Sequence, residues 1–382
     1  MTFNYSFMRI VFWQNCLSPH QLPYIVCLLE DKRVDEVVIV AEEAINRGRM
    51  EMGWDIISFL GLDKCDVYLS PTFQTINFLL SKRQSDSWHL FSGIRGFRFV
   101  FNAFKCSLKY NLKRGLITER PYTFALGLAN GKPLWLHRLR FLIQDRKFSS
   151  SIKVVFAMGD DAVSYFQSVW KNWQVFPFAY CTYKTELEEL TNNVREKELR
   201  FIYIASLSKR KSPISILKAD VLLKKKCGIT FIGDGRERSI LEQYIKKHEL
   251  KNVCLKGTQK NSVIPNILLD HDVLILPSVY DGWGAVVNEA LMNGLYVICS
   301  DKCGAKELLS DERCGKVFHA RDEKELARIM QYCIEHVEEI RANRNFRQSW
   351  AQQCISGKVI AHYLVDCLDG KNPIRPWHKS VN

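Results

Sequence analysis

Apolar residues along this chain fall into short unbroken runs separated by amphipathic stretches. Val37-Val38-Ile39-Val40 and Val273-Leu274-Ile275-Leu276 contain no polar position at all, the mark of a strand covered on both faces of a parallel sheet. Strands are predicted in the first half at 9–13, 37–40, 66–70, 88–91, 116–119, 154–157 and 175–180, and helices at about 22–29, 74–80, 99–113, 135–143 and from 160 to Trp170. The second half repeats the alternation, with strands at 201–205, 229–232, 253–257, 273–276, 295–300 and 317–318. Helices fall there at 214–225, 285–293, from Asp322 towards Ile340 with Asp322 and Glu325 as a capping box, and at 346–368. Strand–helix alternation in both halves predicts an α/β chain of doubly wound parallel sheets.

The stretch 271–308 holds the densest signal. A buried strand ends at Pro277-Ser278, a loop carries Asp281, Gly282, Trp283 and Gly284, and a helix from Ala285 to Asn293 is closed by Gly294. Glycines let backbone N–H groups approach a ligand, and the start of the helix suits a diphosphate. Asp281 and Glu289 offer carboxylates that accept paired hydrogen bonds, as the vicinal diol of a ribose or pyranose would give. An ordinary strand–helix–strand unit with solvated acids is the plain alternative. The apolar and small surroundings of Glu289 (Ala285, Val286, Val287, Ala290, Leu291) favour the ligand-binding reading.

A chain of 382 residues, 47% hydrophobic and 12% aromatic, is long enough for two domains with their own cores. The 13 cysteines show no paired framework and no zinc spacing, so free thiols in a reducing compartment are expected. No leader and no apolar run long enough to span a bilayer is read, which gives a cytoplasmic expectation. The net charge of +13 is concentrated, with 14 Lys/Arg against three acids from Lys82 to Lys147, interleaved with aromatics such as Trp88, Phe101, Tyr122, Phe124 and Trp135. Residues 135–143 form a basic amphipathic helix. This region fits peripheral contact with an anionic membrane or a phosphorylated acceptor. It fits equally an ordinary wet face over an aromatic core, and no nucleic-acid motif accompanies it.

The stretch from Pro277 to Glu307 resembles the nucleotide-sugar site of retaining glycosyltransferases of the GT-B fold, specifically the large family 4 (glycosyl transferases group 1) of the polysaccharide-biosynthesis type. The match runs through Pro277, Ser278, Gly282, Gly284, Glu289, Ala290, Gly294, Val297, Ile298, Ser300, Gly304 and Glu307, with Asp281 in place of the usual glutamate and Leu295-Tyr296 in place of a residue–proline pair. The resemblance implies two Rossmann-like doubly wound domains facing across a cleft: 1–180 for the acceptor and 181–357 for the nucleotide-sugar donor, with 358–382 crossing back to the first. The acid-rich run Glu186–Glu198 is the expected linker. It further implies that Lys211 offsets diphosphate charge, with Lys209 or Arg210 standing in for a missing arginine. Backbone groups of Gly282, Trp283, Gly284 and Ala285 and the turns at Gly233 and Lys256-Gly257-Thr258 would hold the donor, Glu289 its ribose and Asp281 its sugar. Glu119 stands where the family often places a polar residue beside the reacting carbon, or else it is a structural partner of Arg120 or of a helix start. His20 and Arg95 are candidates on the acceptor side.

No acidic cluster implies a metal, and no cofactor is expected beyond a UDP- or GDP-type sugar as substrate. The reading is a metal-independent retaining glycosyltransferase of surface polysaccharide (capsule- or O-antigen-like) synthesis. Its partners are a nucleotide-sugar donor and a glycan or lipid-diphosphate-linked acceptor, with no nucleic acid. Two other readings stay open: a non-catalytic sugar-nucleotide or glycan-binding subunit, and a nucleotide-sugar epimerase of the same fold.

Overall fold

A computed structural model describes residues 7–55, 61–121, 134–183, 198–225 and 227–378. The chain divides into two compact units, the first containing 7–46, 61–121, 134–181 and 356–378 and the second the remaining described residues. The expected linker Glu186–Glu198 falls almost wholly outside the described residues, as do Tyr122 and Phe124 of the basic stretch.

The first unit is built on seven strands: β1 (Met8–Cys16), β2 (Val34–Glu43), β3 (Asp66–Leu69), β4 (Ser87–Phe91), β5 (Lys113–Glu119), β6 (Val154–Met158) and β7 (Gln174–Phe178). They lie in the order β3-β2-β1-β4-β5-β6-β7, all pairs parallel. The second unit has β8 (Arg200–Ile204), β9 (Gly228–Ile232), β10 (Val253–Leu255), β11 (Val273–Leu276), β12 (Tyr296–Ser300) and β13 (Gly315–Phe318), in the parallel order β10-β9-β8-β11-β12-β13. The helices in chain order begin with α1 (Leu22–Cys27), α2 (Arg47–Glu51), α3 (Phe73–Ser81), α4 (Arg98–Ser107), α5 (Leu134–Gln144) and α6 (Asp160–Val169). They continue with α7 (Ile214–Val221), α8 (Arg238–Lys247), α9 (Ile264–Leu269), α10 (Val286–Met292), α11 (Glu323–Glu335), α12 (Val337–Ala342), α13 (Arg344–Ile355) and α14 (Gly357–Leu368). Both sheets are doubly wound, as the alternation of apolar runs predicts.

Four helix boundaries differ from the sequence expectation, each for a visible reason. The helix expected over 99–113 stops at Ser107, because the buried Arg114 guanidinium caps its end by donating to the carbonyls of Ser107, Tyr110 (2.6 Å) and Leu112 (3.1 Å). The helix expected over 214–225 stops at Val221, and Gln331 takes the Lys224 N–H at 3.2 Å. The run from Asp322 breaks at His336, whose ring stacks on Tyr332 at 4.1 Å and bonds the Tyr332 carbonyl. Asp322 does cap that helix, accepting from Glu325 N–H at 2.8 Å, while Glu325 turns to the His319 N–H instead of closing a capping box. The last helix is broken at extended Ser356 into α13 and α14. α14 packs in the first unit, where Tyr363 donates to the Pro177 carbonyl (3.0 Å) and Asp366 pairs with Arg33 (2.7 Å).

Two apolar cores result, one around Trp13, Phe91, Phe104 and Val155, the other around Phe201, Phe231, Ile275 and Ile298. His89 of β4 sits inside the first sheet, fully buried, and the Trp13 indole N–H donates to its Nδ1 at 3.0 Å. Burial, with Arg9 and Arg114 nearby, pushes this imidazole well below the usual histidine range. The unfolded chain therefore takes up a proton near pH 6.5 that the folded one refuses, so stability is full above about pH 6.5 and lost as pH falls below it. His89→Gln, which keeps an acceptor for the indole, is expected to flatten the fall of the urea midpoint between pH 6.5 and 5; an unchanged slope would place the acid sensitivity elsewhere.

Candidate functional site

In the second sheet the strands wind outward in opposite directions from the pair β8 and β11, which makes the carboxyl ends of those two strands the switch point of the fold. The loops that leave them, 205–213 and 277–285, are tied together. Val279 N–H donates to the Arg210 carbonyl at 2.9 Å, and Arg210 Nη1 donates to the Tyr280 carbonyl at 3.1 Å. Beneath the first loop, buried Tyr203 donates its hydroxyl to the Ser206 carbonyl at 2.8 Å.

These ties bring Lys211 and Asp281, 70 residues apart, into an ion pair through Nζ and Oδ2, with the Arg210 guanidinium 3.7 Å from Oδ1. Asp281 is only 8% exposed, and its backbone is held on both sides: its N–H donates to the Lys302 carbonyl (3.0 Å), and its carbonyl accepts from Gly304 N–H (3.1 Å). Sequence placed these three side chains near one ligand but gave no sign that they bind each other. An ammonium carries three N–H donors, and Asp281 fixes the direction of one of them.

The glycines are required by close packing within the second unit. Gly284 adopts φ +96°, and a Cβ there would lie 2.7 Å from Cys303 Sγ. A Cβ on Gly304 would lie 2.1 Å from the Gly282 carbonyl oxygen, so the loops 281–284 and 303–305 pass backbone against backbone. Gly304→Ala must push them apart, and a cost of about 1–3 kcal/mol is expected, read as a lowered urea midpoint. A variant as stable as the parent would show that the loops are not so closely packed. The Trp283 indole is buried and donates to Asn288 Oδ1 at 2.7 Å, while its carbonyl accepts from Ala305 N–H at 2.8 Å.

α10 starts from Ala285 as its cap, and its own hydrogen bonds begin with Val287 N–H to the Gly284 carbonyl at 2.9 Å. Glu289 stands in its first turn, flanked by buried Val287, Asn288, Ala290 and Leu291. The residue as a whole still meets solvent at its edge, yet its carboxyl is set deep enough that burial pushes its pKa up to about 7. A carboxyl held near neutrality in a protein wall is a mark of a functional site.

The turn Lys256-Gly257-Thr258 is joined to Gly233 by the bond from Gly233 N–H to the Gly257 carbonyl (2.8 Å). A short segment that comes much earlier in the chain braces the residues after that turn. Asn261 N–H donates to the Gly53 carbonyl (2.7 Å) and Ser262 Oγ to Asp55 (2.8 Å). Nothing in the spacing of the sequence signals this brace.

The other candidates lie in the first unit. Glu119 ends β5 and accepts from the Tyr180 hydroxyl at 3.3 Å, while Arg120 faces Asp161 at 3.7 Å. The His20 ring lies 6.3 Å from that of Tyr180, so His20, Tyr180 and Glu119 form one group at the carboxyl ends of β1, β5 and β7. Arg95 is bound to Asp145 and to the Gln144 carbonyl (3.0 Å) and lies over the Phe101 ring at 4.5 Å. Among the described residues, no cluster of three or more His, Cys, Asp or Glu comes together to hold a metal ion.

Residues 185–351 match the family model described as "Glycosyl transferases group 1". That match covers less than half of the chain. The group 1 segment contains the whole of the paired loops, Lys211, Asp281 and Glu289. An uncharacterized 41.2 kDa protein in the cps region of Klebsiella pneumoniae is 27% identical over 143 residues, 36% of this chain and 38% of that protein. A putative teichuronic acid biosynthesis glycosyltransferase of Bacillus subtilis (strain 168) is 31% identical over 107 residues, 28% of this chain and 26% of that protein. The alignments thus span between 24% and 38% of the curated relatives' length.

Solved structures agree over nearly the whole chain. Anabaena Alr3699/HepE in complex with UDP superposes with a TM-score of 0.70 at 15% identity, covering 95% of this chain and 100% of that one. WaaG, a glycosyltransferase involved in lipopolysaccharide biosynthesis, gives 0.63 at 16%, covering 94% and 100%. With the two parallel sheets, these likenesses establish the GT-B fold of two Rossmann-like domains.

Proposed function

We propose that this chain is a retaining, metal-independent glycosyltransferase. It moves a sugar from a UDP- or GDP-type nucleotide sugar to a glycan or lipid-diphosphate-linked acceptor in surface polysaccharide synthesis on the cytoplasmic side of a membrane. The observation that carries the reading is the convergence of Lys211, Arg210 and Asp281 at the switch point of the second sheet, Asp281 on the loop that leads into the helix carrying Glu289. The relatives add support through what their names say of them: a cps region, teichuronic acid, lipopolysaccharide.

Glycosyl transfer needs charge relief on a departing diphosphate and a held, dry sugar. Lys211 and Arg210 supply fixed cations, joined by the N–H groups of Gly284 and Ala285. The base rests against Gly233 and Lys256-Gly257-Thr258. Glu289 accepts from the ribose diol, and its burial makes each such bond strong. Asp281, oriented by Lys211, offers its remaining lone pairs to sugar hydroxyls together with the backbone N–H groups of Gly282 and Trp283. Glu119 is the candidate polar residue beside the reacting sugar carbon, and His20 and Arg95 are candidates on the acceptor side.

The test is incubation of the pure protein with UDP- and GDP-sugars. Slow release of nucleoside diphosphate with water as acceptor, and a product sugar of unchanged anomeric configuration by NMR, is the expected result. Binding without release marks a non-catalytic subunit, and a changed sugar still attached to its nucleotide marks an epimerase.

A further inference from the structure

Among the described residues, α5 is held to the first unit by one face. Phe141 packs edge-on against Trp173 at 5.5 Å, and the buried His137 carries the carbonyl that accepts from the Tyr165 hydroxyl. The opposite face is bare and apolar: Trp135 is 61% exposed, Leu139 46%, Leu142 49% and Ile143 73%. Successive helical residues turn by about 100°, so these four side chains share an arc of about 100°. The same turn sets Arg138 on one border of the arc and Arg140 on the other, both exposed. Exposed Arg146 and Lys147 follow directly. The only acid from 134 to 147 is Asp145, which is taken by Arg95.

We propose that this face of α5 docks on the surface of an anionic lipid bilayer, lying in the interface with Trp135, Leu139, Leu142 and Ile143 among the upper acyl chains and the flanking arginines at lipid phosphates. A solvent-facing helix has no reason to expose four large apolar side chains in one stripe. An apolar stripe bordered by cations and free of acids complements headgroup phosphate over hydrocarbon, and a tryptophan at the boundary suits it. Among the described residues no helix is long and apolar enough to cross a membrane, so the contact is a surface one. The inference deepens the proposed function, because a lipid-diphosphate acceptor is presented at such a surface, but its test does not depend on that reading.

The full chain is floated with vesicles of phosphatidylcholine containing phosphatidylglycerol, and with phosphatidylcholine alone. Binding to the anionic vesicles, weakened by salt, is expected, and Trp135→Ser/Leu139→Ser/Ile143→Ser should lower the partition coefficient about tenfold or more. Arg138→Glu/Arg140→Glu should abolish the preference for anionic vesicles, while Trp135→Phe should retain binding. Circular dichroism and nucleotide-sugar binding of the variants should match the parent, which separates a lost surface from a lost fold. Equal binding to neutral and anionic vesicles, variants that bind like the parent, or a dimer in solution that the triple variant dissociates would each overturn the proposal. A parent that binds vesicles but no nucleotide would leave it standing and sink the proposed transferase.

Discussion

Glu289→Gln is expected to weaken nucleotide-sugar binding about tenfold to a hundredfold, the loss of one charge-assisted hydrogen bond from a buried acceptor, while leaving the protein more stable than its parent. The two effects have one cause. Burial raises the carboxyl pKa to about 7, so the folded state favours the protonated form more than the unfolded chain does. The stability that this gives is full below about pH 4.5 and lost as pH rises through about 7. At pH 8 the ionised carboxylate sits in a place that disfavours it by about 3 kcal/mol, and glutamine removes that cost. A diol donates its hydroxyls best to the ionised form. The fraction of competent sites rises from about one-tenth at pH 6 to about nine-tenths at pH 8, so affinity for a nucleotide sugar should rise about tenfold over that interval. Glu289→Gln should show neither the pH-dependent affinity nor the pH-dependent loss of stability. Calorimetric titration and thermal melts at the two pH values check both. A flat affinity profile in the parent would remove Glu289 from the ribose.

Lys211→Ala is expected to lower kcat about 100- to 1,000-fold, the usual cost of removing one preorganised donor to developing charge. It should also destabilise the chain, because Asp281, almost without exposure, loses its close partner and keeps only the longer contact to Arg210 at 3.7 Å. The double variant Lys211→Ala/Asp281→Asn separates the two effects. Stability should return, since no charge is left buried alone, and activity should not. If the double variant also regains transfer, Lys211 serves only to neutralise Asp281, and the diphosphate is met by other groups.

How much of this was legible in the residues differs between the two units. The second unit was readable nearly strand by strand, because Val273–Leu276 and Tyr296–Ser300 are uninterrupted apolar runs closed by proline and glycine signals. Its candidate site was drawn from glycine and acid positions that suit a backbone approach and a diol. What escaped was tertiary. The Lys211–Asp281 pair joins residues 70 positions apart, and only the sheet order makes them neighbours. The end of α4 depends on Arg114, which lies beyond the helix it caps and reads as one more cation of a basic stretch. The brace of Gly53 and Asp55 on the 256–262 loop leaves no periodic mark at all. In the first unit the amphipathic pattern of α5 was plain, but both its faces carry apolar residues. Only the fold tells which face is covered by Trp173 and which is left bare.

The central claim is that the two loops at the β8–β11 switch point cradle the diphosphate of a nucleotide sugar. Isothermal titration of UDP- and GDP-sugars into the parent, Lys211→Ala and Glu289→Gln at pH 8 addresses it without needing the acceptor. One donor class should bind the parent, with both variants weakened at least tenfold. If no nucleotide sugar binds the parent at millimolar concentration, or one binds the three proteins alike, the cradle is elsewhere or absent.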